Sequence, residues 1–219
     1  MKQDLEGIRI ETQLEEIVFG LIRLSGAQIE NAPQALSAQI ESACTSFSAD
    51  DERKAAVRNM LRHGKYKPTG RGKPACEYLL KAAQEARFPA INNLVDALNL
   101  VSLKTQLPIS VIDTDLAGTN EFVIRRGREG ESFVFNATGQ EIGLHDLLLV
   151  ATQPDDQACA NPVKDSMRTK LTDETQNALA VVYGPVALKD AVQAATVDLA
   201  SLYQLFGGPD IRVTSGFVG

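Results

Sequence analysis

Two adjoining stretches, INNLVDALNLVSL at residues 91–103 and LPISVID at residues 107–113, decide how this chain folds. The first predicts a helix over 91–106, and the second predicts a strand over 108–113. On that helix, four polar residues share one stripe that apolar residues flank: Asn92, Asp96, Asn99 and Ser102. Burying such groups without a partner costs about 1–3 kcal/mol each, so they must hydrogen-bond to the main chain or to a ligand.

The composition is that of an ordinary globular protein. The chain has 219 residues, of which 44% are hydrophobic and 23% are charged, and this suits a single domain over residues 1–219. No apolar run approaches the roughly 20 residues that cross a bilayer, and the first residues lack the apolar core of a signal peptide. We therefore expect a cytoplasmic protein that contacts no membrane.

Cysteine and histidine are too few and too scattered for a metal centre. Cys44, Cys76 and Cys159 are odd in number and widely separated, which argues against a disulfide framework. Only His63 and His145 could join them, and no zinc-binding pattern results. The sequence therefore predicts free thiols, no metal and no cofactor.

Helix and strand patterns follow one another in an order typical of the α+β class. Helices are predicted at about 33–44, 48–63, 75–86, 91–106 and 186–206, and strands at about 17–24, 108–113, 121–125, 131–135, 147–151 and 177–183. The chain is helix-rich to about residue 106 and sheet-rich from residue 107, with a C-terminal helix, so the domain can divide into two lobes there. We expect helices packed on a largely antiparallel or mixed sheet. A long polar loop over 153–175 is of the kind that often builds a site.

Positive charge is concentrated in one segment, although the net charge of the chain is −6. Between residues 53 and 76 there is no acidic residue and there are eight cationic ones: Arg53, Lys54, Arg58, Arg62, Lys65, Lys67, Arg71 and Lys73. Such a strip on an acidic body suits local contact with a polyanion, and a solvated helix face followed by a loop is the alternative. The Gly- and Pro-rich loop at 65–74 lacks the Walker A spacing, so no nucleoside triphosphate site is expected.

Several motifs resemble one known domain. The segments PTGRGKP at 68–74, EYLL at 77–80 and the whole of 91–113 resemble the editing domain of the phenylalanyl-tRNA synthetase beta subunit, also called its tRNA-binding B3/B4-type domain. The likeness resumes at 125–127, 130–133 and 168–175, and it covers about residues 10–205. The chain resembles freestanding proteins built from that domain alone even more closely. The resemblance implies an editing-domain fold and the hydrolysis of an amino acid wrongly esterified to tRNA.

The chain departs from this family at positions that recognise the tyrosyl group, which the synthetase domain removes from tRNA. Leu98 stands where the bacterial synthetase has threonine, and Ser110 stands where it has histidine. Val181 falls where a glutamate would bind the tyrosine hydroxyl, and the segment 162–168 is not rich in glycine. A pocket without a polar partner for the phenol loses the large discrimination that such a hydrogen bond gives. We therefore do not expect tyrosine specificity.

Hydrolysis of an aminoacyl ester needs a positioned water, stabilisation of the oxyanion and a grip on the α-ammonium group. The residues expected to serve the chemistry are Asn99, Ser110 and Asp113. The residues expected to surround the amino acid are Asn92, Asp96, Leu98 and Val181. The residues expected to contact RNA are Arg62, Lys65, Lys67, Arg71, Lys73, Arg168 and Lys170. Structural alternatives are a buried network for Asn92 and Asp96, helix capping for Asp113 and a solvated surface for Arg168 and Lys170.

The function expected from these residues is that of a freestanding trans-editing hydrolase that deacylates a misacylated tRNA. Its partner would be the acceptor end of tRNA, with no role for DNA. Two alternatives stay open: a non-catalytic tRNA- or RNA-binding module, and an enzyme or sensor for a free amino-acid derivative. The amino acid, the tRNA and the oligomeric state do not follow from the sequence.

Overall fold

A computed structural model, which describes residues 1–219, confirms the predicted α+β class. The six helices are α1 (Gln34–Ser46), α2 (Asp51–Leu61), α3 (Ala75–Gln84), α4 (Asn93–Thr105), α5 (Thr114–Ala117) and α6 (Lys189–Phe206). The eleven strands are β1 (Lys2–Leu5), β2 (Ile8–Thr12), β3 (Ile17–Ser25), β4 (Ile109–Asp113), β5 (Glu121–Arg126), β6 (Ser132–Val134), β7 (Glu141–Gly143), β8 (Leu148–Thr152), β9 (Ala158–Ala160), β10 (Asn177–Pro185) and β11 (Arg212–Val218). None of the helices combines the length and apolar character that crossing a bilayer requires.

The strands form one mixed sheet, one antiparallel sheet and a small hairpin. The mixed sheet has the order β1-β2-β5-β8-β9, and only its β2–β5 pair is parallel. The antiparallel sheet has the order β11-β3-β10-β4, and β6 pairs with β7 in the hairpin. Strands from before and after residue 106 pair in both large sheets, and one continuous hydrophobic core joins them. The two parts of the chain are therefore interleaved in the fold.

Helix α6 lies very close to the antiparallel sheet because two glycines face it. A Cβ atom on Gly20 would lie 1.8 Å from the Thr196 hydroxyl oxygen, and a Cβ atom on Gly184 would lie 2.3 Å from a methyl group of Val192. Strand register places Ile109 and Val111 of β4 on this same face. Helix α4 packs beside α6 and against β4, so one face of the sheet carries both helices.

The start of α4 is fixed by amide and carboxylate groups that bond to the main chain. Asn92 caps the helix, since its side chain accepts from the Val95 N–H at 2.8 Å. The Asp96 carboxylate accepts from the Ile91 N–H at 2.9 Å. Ser102, one turn from the other end, donates to the Leu107 carbonyl at 2.7 Å. These three members of the polar stripe therefore have main-chain partners, in agreement with the structural alternative for Asn92 and Asp96.

Asn93, which is 2% exposed, connects α4 to two other segments. Its amide nitrogen donates to the carbonyls of Gln28, at 2.9 Å, and Phe206, at 2.7 Å. Its oxygen accepts from the Glu30 N–H at 3.1 Å. One side chain thus joins the start of α4, the segment after β3 and the end of α6.

Replacing Asn93 with alanine should lower the free energy of unfolding by roughly 2–4 kcal/mol, because three partly buried hydrogen bonds, each worth about 1 kcal/mol, would be lost. Urea denaturation followed by circular dichroism measures this loss. The matched control is Asn59→Ala on the exposed side of α2, which should change stability by less than about 0.5 kcal/mol. Equal, small effects of the two substitutions would contradict the anchoring role of Asn93.

Candidate functional site

A cavity of about 650 Å³ lies beside α4, between that helix, α3, β4 and the loop that follows β9. We call it the inner chamber. Its walls include Leu98, Asn99, Ile109, Asn161 and Asp165. This volume is typical of small-molecule sites, and the mixture of apolar walls with a few polar groups is typical as well.

A second cavity of about 700 Å³, the outer chamber, adjoins the first. It is lined by Tyr66, Arg71 and Gln140. The two chambers share Tyr78, Phe135 and Lys164 as lining residues. A ligand could therefore occupy both chambers at once and pass this shared wall.

The shared wall is built from two aromatic rings and a lysine. The Lys164 ammonium nitrogen lies 4.9 Å from the centre of the Phe135 ring and 5.5 Å from that of the Tyr78 ring. Burial lowers the pKa of Lys164, and the nearby Lys170 lowers it further. Tyr78 donates to the carbonyl of Gly70 at 3.0 Å and thereby holds the basic loop against α3. This loop is thus part of the outer chamber wall.

Asn99 is the member of the polar stripe that faces the inner chamber without a protein partner. It is 8% exposed, and its amide forms no hydrogen bond to the protein. Asn92 and Leu98 line the same chamber, as expected, although Asn92 also caps α4. The Asp96 side chain lies outside it and borders a separate groove. The chamber therefore contains three of the residues expected from α4.

Two other expected residues lie on the wrong face of the sheet to reach the inner chamber. Ile109 and Val111 line it, so the intervening Ser110 points to the opposite face. The hydroxyls of Ser110 and Tyr183 share a hydrogen bond of 2.5 Å in the core. Val181 pairs directly with Ser110 in β10 and lies on that same face. Neither the Ser110 hydroxyl nor the Val181 side chain therefore faces the inner chamber.

Asp113 is occupied by structural bonds. One carboxylate oxygen accepts from the Leu116 N–H at 2.9 Å and caps α5, and the other accepts from the Thr175 hydroxyl at 2.6 Å. The residue is 2% exposed and is not a lining residue of either chamber. Asp113 therefore has the helix-capping role that was given as its structural alternative. Both of its carboxylate oxygens accept hydrogen bonds from the protein, so neither is free to bind an ammonium group.

The loop after β9 supplies two lining residues that the sequence reasoning missed. Asn161 clamps the turn, since its side-chain oxygen accepts from the N–H groups of Val163, at 2.8 Å, and Lys164, at 2.9 Å. The Asn161 amide nitrogen is buried without a partner. Burial raises the pKa of the half-buried Asp165 to about 7. The available signal was the Asn-Pro turn at 161–162 within the long polar loop.

The basic strip is partly neutralised. Arg58 forms two hydrogen bonds of 2.6 Å with Glu77, and Arg53 bonds to the Thr105 carbonyl and pairs with Asp50. Lys65 pairs with Glu129 at 3.6 Å. The expected RNA-contacting residues that form no ion pair with a protein carboxylate are Arg62, Lys67, Arg71, Lys73, Arg168 and Lys170. Of these, Arg71 lines the outer chamber and Lys170 the inner one, which brings positive charge to both.

No cysteine offers a nucleophile at this site. Cys44, Cys76 and Cys159 are free, as predicted. Burial raises the pKa of Cys159 to about 11 and that of Cys76 to about 12, so both remain thiols at neutral pH. Neither chamber is lined by a cysteine. The three cysteines therefore supply no nucleophile to either chamber.

The fold is an α+β domain with a two-chambered cavity. A family described as the B3/4 domain matches residues 67–202, well over half of the chain. The protein therefore belongs to the B3/4 domain family, and it is a domain of the type found in the phenylalanyl-tRNA synthetase beta subunit.

Two individual proteins are similar to parts of this chain. The chain is 32% identical over 107 residues to the phenylalanine–tRNA ligase beta subunit of Oceanobacillus iheyensis, and the match covers 49% of this chain and 13% of that protein. An N-terminal fragment of the phenylalanyl-tRNA synthetase beta subunit from Pyrococcus horikoshii aligns with a TM-score of 0.47 and 14% identity, over 57% of this chain and 43% of that one.

Removing either hydroxyl of the Ser110–Tyr183 pair should cost about 1–2 kcal/mol of stability, because the other would stay buried without a partner. Ser110→Ala and Tyr183→Phe supply the single variants, and the double variant removes both groups. The double variant should lose less than the sum of the single losses. Thermal or urea unfolding of all four proteins gives the coupling energy, and purely additive losses would show that the two hydroxyls do not interact.

Proposed function

We propose that this protein binds the aminoacylated 3′ end of a tRNA and hydrolyses the ester bond of a misacylated one. The observation that carries the proposal is the unpartnered amide of Asn99, in a chamber that adjoins a second chamber lined by aromatic rings and Arg71. Membership of the B3/4 domain family supports it, because the match to a phenylalanine–tRNA ligase beta subunit links such domains to tRNA. The reaction would take place in the cytoplasm, where tRNAs are charged.

The dimensions of the two chambers suit the two ends of such a substrate. In the proposed complex, the terminal adenosine occupies the outer chamber, where its base stacks on an aromatic ring such as that of Tyr78. Stacking of this kind is worth about 1–3 kcal/mol per base and works with any base. Arg71 and Lys73 would meet the phosphates of the preceding nucleotides. The aminoacyl group would pass Phe135 and Lys164 into the inner chamber.

The proposed chemistry requires no covalent intermediate. The oxygen of a water molecule attacks the ester carbonyl carbon, the bond from that carbon to the ribose oxygen breaks, and the departing ribose oxygen takes up the proton lost by the water and becomes a hydroxyl. The products are the free amino acid and uncharged tRNA. The Asn99 amide can donate through its nitrogen to the developing oxyanion or accept from the water through its oxygen. A preformed, unpaired amide suits either role because it requires no rearrangement during the reaction.

The decisive experiment is to incubate the protein with a panel of correctly and wrongly charged tRNAs and to follow ester loss. We expect accelerated hydrolysis of at least one misacylated species, and Asn99→Ala should reduce kcat roughly 100-fold, the loss typical of a removed oxyanion donor. The matched control, Asn59→Ala, should keep normal activity. Binding of tRNA without hydrolysis would favour the non-catalytic module, and the absence of both would favour a free amino-acid derivative as the ligand.

Affinity for tRNA should depend on Arg71 and Lys73 and should fall steeply with salt. Replacing either with glutamine should weaken binding to any tRNA by a similar factor and reduce the slope of log K against log salt by about 1 per lost phosphate contact. Lys189→Gln is the control, since Lys189 is exposed and lines neither chamber. Filter binding across a salt series measures the slopes. An identical slope for all three variants and the wild type would contradict the placement of the RNA.

A further inference from the structure

The inner chamber contains a donor and an acceptor that the protein itself leaves without side-chain partners. Asn161 is 2% exposed, and its side-chain nitrogen is buried with no hydrogen-bond acceptor. Asp165 lies four residues further along the same loop and lines the same chamber. The buried Asn161 nitrogen without a partner is costly, and the Asp165 carboxylate has no cation beside it, so a bound ligand that supplies an acceptor and a cation would satisfy both.

The Asp165 carboxylate has no cationic partner within the protein. It forms no ion pair within 4.0 Å, although Lys164 and Lys170 line the same chamber. Lys164 lies over the rings of Tyr78 and Phe135, and Lys170 approaches the Phe135 carbonyl at 3.4 Å. Burial raises the pKa of Asp165, and the Val111 N–H, Lys170 and Lys164 only partly offset this effect. No cationic side chain of the protein therefore occupies the ion-pairing position beside the Asp165 carboxylate, and the cation of a ligand could take it.

Asp165 lines the inner chamber only. It does not line the outer chamber, whereas Tyr78, Phe135 and Lys164 line both. The buried hydroxyls of Tyr183 and Tyr203 are close enough to sense its charge, since burial raises the pKa of each and Asp165 raises it further. A substrate entering past the shared wall would thus bring the far end of its aminoacyl group, and not its ester, to Asp165.

We propose that the inner chamber selects aminoacyl groups with a positively charged side chain, and that Asp165 binds this charge. The inference rests on the proposed function and specifies its substrate class: an ammonium or guanidinium group on an amino acid esterified to tRNA. The Asn161 amide donates to an acceptor atom of the same aminoacyl group. Asp165 acts as a specificity-determining residue and not as the group that activates water.

The test compares hydrolysis of tRNAs charged with lysine, arginine, leucine and methionine. Wild-type protein should have a kcat/KM at least 10-fold higher for a cationic aminoacyl group, mainly through KM. Asp165→Asn keeps the shape of the side chain and removes only its charge, and it should abolish this preference while leaving neutral substrates within 2-fold. Asp173→Asn, an exposed acid of the same loop that lines neither chamber, is the matched control. An equal loss on all substrates would instead identify a general base and overturn the inference.

The pH dependence gives an independent readout. Cation binding needs the ionised carboxylate, and the pKa of Asp165 in the free protein is about 7. KM for a cationic substrate should therefore fall as pH rises from 6 to 8, whereas KM for leucyl or methionyl esters should not follow this trend. Lys164 and Lys170 face the same cavity, and their charge opposes the substrate over this range. A KM with the same pH profile for cationic and neutral substrates would contradict the inference.

Direct binding separates this inference from the proposed function. Argininamide, lysinamide and leucinamide all carry an α-ammonium group and no carboxylate, so they differ only in their side chains. Calorimetry should detect tighter binding of the two cationic amides, and Asp165→Asn should remove the difference. If this occurs while no charged tRNA is hydrolysed, the cation site is supported and the hydrolase is refuted. Equal binding of all three amides by the wild type would overturn the cation site.

Discussion

The buried amide of Asn93 is the interaction on which the arrangement of this protein depends. It joins the first turn of α4 to the segment after β3 and to the last residue of α6. Helix α6 in turn lies tightly on β3 and β10 because Gly20 and Gly184 leave room for Thr196 and Val192. The position of α4 over the sheet is therefore fixed from both ends of the chain. Asn99, two turns further along α4, reaches the inner chamber only because of this placement.

The polar residues of α4 and its cap have two different roles, and their hydrogen-bond partners distinguish these roles. The side-chain oxygens of Asn92, Asn93 and Asp96 accept hydrogen bonds from main-chain N–H groups near the start of α4. Asn99 lies on the same helix with its amide unpaired. A buried polar group that is satisfied internally adds stability, whereas an unsatisfied one costs free energy that a ligand can return. Hydrogen-bond partners within the protein, and not residue type, thus separate the polar residues that hold α4 in place from Asn99, which faces the inner chamber.

The sequence predicted the elements with strong periodicity and missed those without it. Helix α4 and strand β4 were predicted within two residues, and so was β10 at its start, because long apolar patterns set their boundaries. The strands β1, β2, β7, β9 and β11 were not predicted. Most of them are short, and β1, β9 and β11 lie at sheet edges, where alternation between buried and exposed residues is weak. Strand β11 pairs with β3, which is distant in sequence, and β2 pairs with the distant β5 as well as with β1, so local patterns mark these pairings weakly.

The lining of the candidate site could be anticipated in part, for a related reason. Asn99 and Leu98, both selected from the sequence, line the inner chamber because α4 turns them toward it. Ser110 and Val181 lie on the opposite face of the sheet, because a strand shows alternate residues to opposite sides and family likeness alone does not choose the side. Asp165 and Asn161 belong to an aperiodic loop, whose path depends on the Asn161 clamp. Tertiary structure was needed to bring this loop opposite α4.

Under the proposed function, the charge arrangement of the cavity would favour a substrate attached to RNA over a free one. A free cationic amino acid near Asp165 would also meet Arg71, Lys164 and Lys170, which line the two chambers and repel it. The same amino acid esterified to tRNA arrives with phosphates that these basic groups attract. The net charge of −6 on the whole protein repels nucleic acid elsewhere, so this attraction is confined to the basic groups. Binding of the RNA would thus offset the repulsion that the aminoacyl cation meets at the entrance. Because a low local dielectric strengthens all of these interactions, the basic groups would weaken the binding of a free cationic ligand, whereas the Asp165 carboxylate would still favour it over a neutral one.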